Sequence, residues 1–140
     1  MWWQRADDLD LLLEASWLQG PLRDPACVVT VQDTHGKFLF VGHQASDLLG
    51  YKPKELKGKR FEHLLLPVDL DATKPLLETG RQQLSHAVLR LRCATGEQWF
   101  HTTFMPVGEA IIAVQRIVSA PASGCPEPTT QRAVSIIATA

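Results

Sequence analysis

Three cysteines in 140 residues, no basic leader, no long apolar run and almost no net charge characterise this sequence first by what it lacks. Cys27, Cys93 and Cys125 are odd in number and widely spaced, with no C-x-x-C pair. That excludes a disulfide framework and a cysteine-based zinc site, and it suits a reducing compartment. The opening residues Met1-Trp2-Trp3-Gln4-Arg5-Ala6-Asp7-Asp8 have no basic region leading into an apolar one. No uninterrupted apolar stretch approaches the ~20 residues that span a bilayer. The chain is therefore expected to be soluble and unprocessed, intracellular in cytoplasm or nucleus, with no membrane partner. A formal net charge of -1 gives no long-range field for an anionic polymer, so direct nucleic-acid binding is not expected. Catalytic signatures are missing too: there is no G-x-S-x-G elbow, no G-x-x-x-x-G-K-[ST] loop, and the carboxylates are scattered on polar segments. Asp69 and Asp71, after Pro67, read as helix caps. The chain is not expected to be an enzyme.

What is present suffices for one core. With 45% hydrophobic and 21% charged residues, the length fits a single domain. The spacing of Leu9, Leu12, Leu13 and Trp17 predicts an amphipathic helix over 7–19, stopped by Gly20-Pro21. The β-branched run 27–32, the turn residues Asp33-Thr34-His35-Gly36 and the run 37–41 predict a hairpin. Between 43 and 80, Gly50, Pro53, Gly58, Pro67 and Pro75 break the apolar pattern into short helices, with no long one. Alternation then returns: Ala87, Leu89, Leu91 and Cys93 share one face of a strand, and two further strands follow through hairpin-length turns, 98–107 and 110–118.

The last strand is apolar on both faces, so something must cover the second one. The N-terminal helix or the same surface of a partner subunit is the available cover. Leu9, Leu12, Leu13 and Trp17 on the helix, with Trp99, Ile112 and Val114 on the sheet, are accordingly the candidate interface residues. The expected organisation is a flanking helix over 1–22, a domain over 23–119, and a flexible linker or tail over 120–140, where Pro, Ala, Ser, Gly and Thr dominate.

Residues 24–119 resemble the PAS family. The segment 31–41 is similar to its first hairpin. Ala45-Ser46-Asp47-Leu48-Leu49-Gly50-Tyr51 with Glu55-Leu56-Lys57-Gly58 resembles the helical signature "a..llGy...el.G". Arg90, Gly96 and Trp99 resemble the "R...G..W" hairpin that follows. The resemblance implies an α+β fold, a five-stranded antiparallel sheet with short helices on one face, and a function in sensing small ligands, binding cofactors or pairing with another PAS domain or a second copy.

Two cofactor chemistries of the family can be checked by residue. Phe61 stands where the flavin photoreceptors carry their reactive cysteine, and Leu91 and Phe100 stand where they carry flavin-binding asparagines. Gln115 does match their final-strand glutamine. Lys74 stands at the position of the axial histidine of the haem sensors. Flavin and haem are both disfavoured, and no cofactor is expected. His63 and His86 could ligate a metal only if the fold brought them together, since no H-x-x-x-H or H-E-x-x-H spacing exists; no metal site is expected.

Gln115 shares an otherwise apolar strand face with Ile111, Ala113 and Ile117, and a buried amide needs a partner. Two readings stand: a structural hydrogen bond to Thr102, His101 or backbone, or contact with a ligand. The candidate ligand-binding residues are Gln115, Thr102, Phe100, Phe104, Leu91 and Phe61, lining a pocket suited to a small apolar or aromatic molecule. A rival is a ligand-free interaction scaffold with the pocket filled by Phe38, Phe40, Phe61, Phe100 and Phe104.

Overall fold

The computed structural model describes residues 13–129. Helix α1 (Ser16–Arg23) precedes the hairpin of β1 (Cys27–Gln32) and β2 (Phe38–Val41). Short helices follow: α2 (Ala45–Leu48), α3 (Pro53–Leu56), two 3-10 turns at Phe61–Leu64 and Pro67–Asp69, and α4 (Leu70–Gly80). Then come β3 (Ser85–Cys93), β4 (Gly96–Val107), β5 (Ala110–Val118) and a two-residue β6 (Glu127–Pro128). The strands form one antiparallel sheet in the order β2-β1-β5-β4-β3-β6. This is the expected α+β architecture, with six strands in place of five.

β1 explains the layering. All six of its residues are buried because both faces of the sheet are covered there. Alternation sends Val28, Thr30 and Gln32 toward the short helices and Val29 and Val31 toward α1. The inner core packs Val28, Ile111 and Ala113 and the β3 face Ala87, Leu89, Leu91 and Cys93 against Leu49, Leu56, Phe61 and Leu77. The outer core packs Val29, Val31, Ala110 and Ile112 against Leu18, with Leu13 and Leu22 alongside. The second face of the last strand is thus covered by the chain's own helix. Fully burying Leu18 contributes about 2 kcal/mol to that docking.

Proline breaks neither of the two helices that contain it. Gly20-Pro21 does not stop α1, which runs through both residues, and α4 runs eleven residues through Pro75. Each ring removes one backbone donor, and packing offsets the loss. Leu18 anchors α1, while Gln44 Nε2 donates to the carbonyls of Pro21, Leu22 and Asp24 at its C-terminal end. Thr73, Leu77 and Gly80 bury the inner face of α4. Gly80 is required by closeness: a Cβ there would lie 2.5 Å from the Phe104 ring. Gly80→Ala is expected to destabilise the domain by about 1–3 kcal/mol, read as a lower urea midpoint at unchanged slope.

The linker expectation also needs correction. Pro126 is buried, Glu127 and Pro128 pair with Val88 and Ala87 of β3, and the Thr129 N–H donates to the His86 carbonyl at 3.0 Å. The β-prone run at 133–140 lies outside the described residues. Both sheet margins are partly covered. On β3, β6 and a bridge from Leu65 to Leu91 take the outer edge. On β2, the Phe38 N–H donates to Lys59 O at 2.8 Å, and Gly58 N–H returns a bond to Phe38 O at 2.9 Å.

The hairpin turn follows from its residues. Asp33 Oδ1 accepts from the N–H groups of His35 and Lys37, both at 2.9 Å, and Gly36 takes φ +85°, which L side chains rarely adopt.

Candidate functional site

The inner face of the sheet carries a row of buried polar residues across three strands. Gln115 on β5 pairs with Thr102 on β4 and with Val28 on β1. Thr30, opposite Ala113, is its diagonal neighbour, and Gln32 follows two residues on. All four polar residues are at most 1% exposed. Gln115 Nε2 donates to Thr102 Oγ1 at 3.3 Å, and Gln32 Nε2 donates to Thr30 Oγ1 at 3.4 Å. The structural bond from Gln115 to Thr102 therefore exists, yet it uses only half of the amide: Gln115 Oε1 is buried without a partner. A buried acceptor left unmet costs about 1–3 kcal/mol. Thr30 and Gln32 were not identified from sequence, although their spacing of two and four residues from Val28 places them on the same strand face.

The other candidate pocket residues converge on this face. Phe61, Leu91, Phe100 and Phe104 are fully or almost fully buried in the inner core, and Phe100 and Phe104 flank Thr102 on its strand face. Phe61 packs between Phe38 and Phe104, with ring centroids 6.1 Å away on each side at interplanar angles of 50° and 66°. Phe40 does not join them. It lies half-buried in the outer core, because the register of β1 with β2 shifts between Val31 and Gln32, a bulge that turns Phe40 to the opposite face from Phe38. Lys74 is exposed on α4, and its neighbour Thr73 is the residue facing inward, with an unpartnered Oγ1.

Among the interface candidates, Leu9 and Leu12 lie outside the described residues. Leu13 is half-buried against the outer core, and Trp17 stays 47% exposed. Ile112 is fully buried under α1, the first of the two covers expected for this face. Val114 is half-buried beside it. Trp99 is half-buried under the Arg90 guanidinium, 5.2 Å from its ring centroid.

Asp69, read from sequence as a helix cap, makes no capping bond. It is buried and receives two bonds from Arg90, Nε to Oδ2 at 2.9 Å and Nη2 to Oδ1 at 2.6 Å. This forked pair ties the start of α4 to the edge of β3. At the other end of the sheet, Arg116 donates to Asp24 Oδ2 at 2.8 Å, beside the end of α1. The Ala26 N–H and Arg116 together hold the Asp24 carboxyl below its ordinary value. Cys27 packs against the same carboxylate; burial first, and Asp24 next to it, push its thiol up to about 11, so it is a poor nucleophile at neutral pH. His63 lines an open cleft of about 250 Å³ with Tyr51, Glu55, Lys59 and Arg92, whereas His86 stacks on His101 across the outer face. The fold does not pair His63 with His86. Among the described residues no three His, Cys, Asp or Glu side chains converge, and no helix is long and apolar enough to cross a membrane.

No family model and no curated relative matches the sequence. Solved structures do. The PAS domain of the Cronobacter turicensis RpfR quorum-sensing receptor, in complex with BDSF, superposes with a TM-score of 0.60 at 16% identity, over 67% of this chain and 95% of its own. Drosophila melanogaster Cycle PAS-B with bound ethylene glycol gives a TM-score of 0.57 at 22% identity, over 65% and 99%. A PAS domain from Colwellia psychrerythraea gives 0.59 at 15%, over 68% and 88%. Together with the helical signature around Gly50 and the hairpin around Trp99, these superpositions establish that the chain has the PAS fold.

Proposed function

We propose that this domain is a regulatory module that couples the state of its inner core to a partner held at the outer face of its sheet and at α1. The observation that carries this reading is the position of Gln115. Its amide lies in the inner core with Oε1 unpartnered, while the next residue, Arg116, reaches out to Asp24 at the end of α1. One strand thus touches both layers. A small apolar or aromatic molecule that donates a hydrogen bond to Oε1 would shift β5, and the shift would reach α1 through the Arg116–Asp24 pair. The RpfR and Cycle domains, with their bound small molecules, support the reading by analogy of fold.

The partner is a second PAS domain or a second copy of this chain, meeting the half-buried Val114 and the exposed Trp17 of α1. Neither flavin nor haem is the ligand on this reading. Phe61 occupies the cysteine position within a cluster of rings, and Lys74 points to solvent, so the purified protein is expected to be colourless.

A second reading has its own observation. The packing of Phe38, Phe61, Phe100 and Phe104, each at most 2% exposed, favours a ligand-free scaffold. Gln115→Leu separates the two. On the first reading, native mass spectrometry of the purified protein finds a small molecule in the wild type, reduced at least tenfold in occupancy in the variant, and partner affinity changes with it. Unchanged ligand retention together with unchanged partner binding would sink the coupling, and absence of any ligand in the wild type would favour the scaffold.

A further inference from the structure

His86 and His101 stack on the outer face of the sheet, with ring centroids 5.7 Å apart and planes 25° from parallel. Register places them there: His86 is opposite Thr103, and His101 is flanked by Val88 on β3 and Arg116 on β5. Each ring uses one nitrogen on a threonine. His86 Nδ1 lies 3.1 Å from Thr103 Oγ1, and His101 Nε2 lies 3.2 Å from Thr129 Oγ1. Thr129 belongs to the returning C-terminal segment, and its N–H is bound by the His86 carbonyl at 3.0 Å. The same two histidines that stack on each other therefore hold the end of the described chain.

We propose that the His86–His101 stack is a proton-sensitive clasp: neutral rings hold residues 127–129 on β3, and protonation releases the segment from the sheet edge. The idea stands apart from the coupling through Gln115.

The charges around the stack set its direction. From β5, Arg116 faces His101, although it is paired with Asp24. From β4, Thr103 is neutral, and from α4 the residues beside His86 are Pro75, Leu76 and Thr79. On β3 the next charged residue of this face, Arg90, is held by Asp69. On the returning segment, Glu127 turns its Oε2 to Ser123 Oγ at 2.8 Å. Among the described residues no carboxylate bonds either ring, so a second positive charge meets repulsion from the first and from Arg116.

Burial holds both rings below the ordinary histidine value, and His101 is lowered further by His86 and Arg116. The sign follows. The docked form is at full strength above the free value of about 6.5, and it weakens as pH falls through that value, because the released form binds protons more readily. A two-residue ladder is an element that so small a bias can move. Release exposes the β3 edge at Ala87 and Val88 and opens the groove of about 220 Å³ that Pro128 lines with Pro75, Leu76 and Thr79.

The test is an NMR titration of the full chain from pH 8 to pH 5. The two ring signals are expected to titrate below 6.5, and the Thr129 amide to move to its unpaired position at the same midpoint, while the Phe104 and Leu18 signals stay native. The docked-to-released ratio should fall by up to about tenfold per pH unit for each proton taken up. His101→Gln keeps a polar partner for Thr129 without a charge, and His86→Phe keeps a stacked ring. Both variants should stay docked to a lower pH than the wild type. The clasp is overturned if Thr129 stays docked through the ring titration, if its midpoint is unmoved in both variants, or if the core signals are lost together with it.

Discussion

Replacing Phe61 by alanine is expected to lower the stability of the domain by about 3–5 kcal/mol, one of the two largest effects a single substitution should have here. Phe61 is completely buried and is the middle ring of three, in contact with Phe38 on β2 and Phe104 on β4. It comes from a 3-10 turn whose backbone is itself bonded to the hairpin: the Phe61 N–H donates to Gly36 O at 2.8 Å. That anchorage limits how far the turn can fall inward to fill the gap, which places the loss toward the upper part of the range. The measurement is urea unfolding, with a shifted midpoint and an unchanged slope. A loss under ~1 kcal/mol would mean that the site collapses freely. The void also provides a test of what the rings do. An apolar cavity of this kind stays dry and takes up small aromatics, so indole should stabilise the variant against heat while leaving the wild type unmoved. Equal stabilisation of both proteins would show that the wild-type interior already admits such molecules.

Arg90→Ala is the second. It strands a carboxylate that is 5% exposed and loses the guanidinium over Trp99, and breaking a buried pair from one side costs about 3–5 kcal/mol. Arg90 itself is 23% exposed, which moves the expectation to the lower end of that range. Asp69→Ala should cost less, because the arginine left behind can turn to water and to Glu97, already 3.7 Å away. The double variant should lose clearly less than the sum of the two, and a cycle of thermal or urea unfolding measures the difference. Strict additivity would mean that the fork carries no coupling and that each side chain acts through packing alone.

How much of this was legible beforehand depended on the range over which each signal acts. Period-two alternation is local, and it placed Leu89, Leu91, Ile111, Ala113 and Gln115 on the correct face before any register was known. The bond from Gln115 to Thr102 followed from the same reasoning, since both are polar positions on apolar faces of adjacent strands. Proline chemistry is also local, yet it gave the wrong answer at Pro21 and Pro75. There the missing donor is outweighed by Leu18 in one helix and by Thr73 and Leu77 in the other, and that packing is tertiary. Asp69 and Arg90 are separated by 21 residues, and nothing near either indicates the other. The stack of His86 on His101 needs the β3–β4 register, and the return of Glu127–Pro128 needs the sheet edge, because two residues have no periodicity to read.

The partly covered margins of the sheet have a consequence for the protein as a colloid. An uncovered strand is a template on which like chains can add, and open-ended growth needs a free row of backbone donors and acceptors at both margins of each copy. Here Gly58 and Lys59 screen one margin while Leu65 and residues 127–129 screen the other. Edge-to-edge addition of like chains is thereby disfavoured at the screened positions. The shortest element of the fold, two residues of β6, thus covers backbone of Ala87 and Val88 that would otherwise be open to pairing.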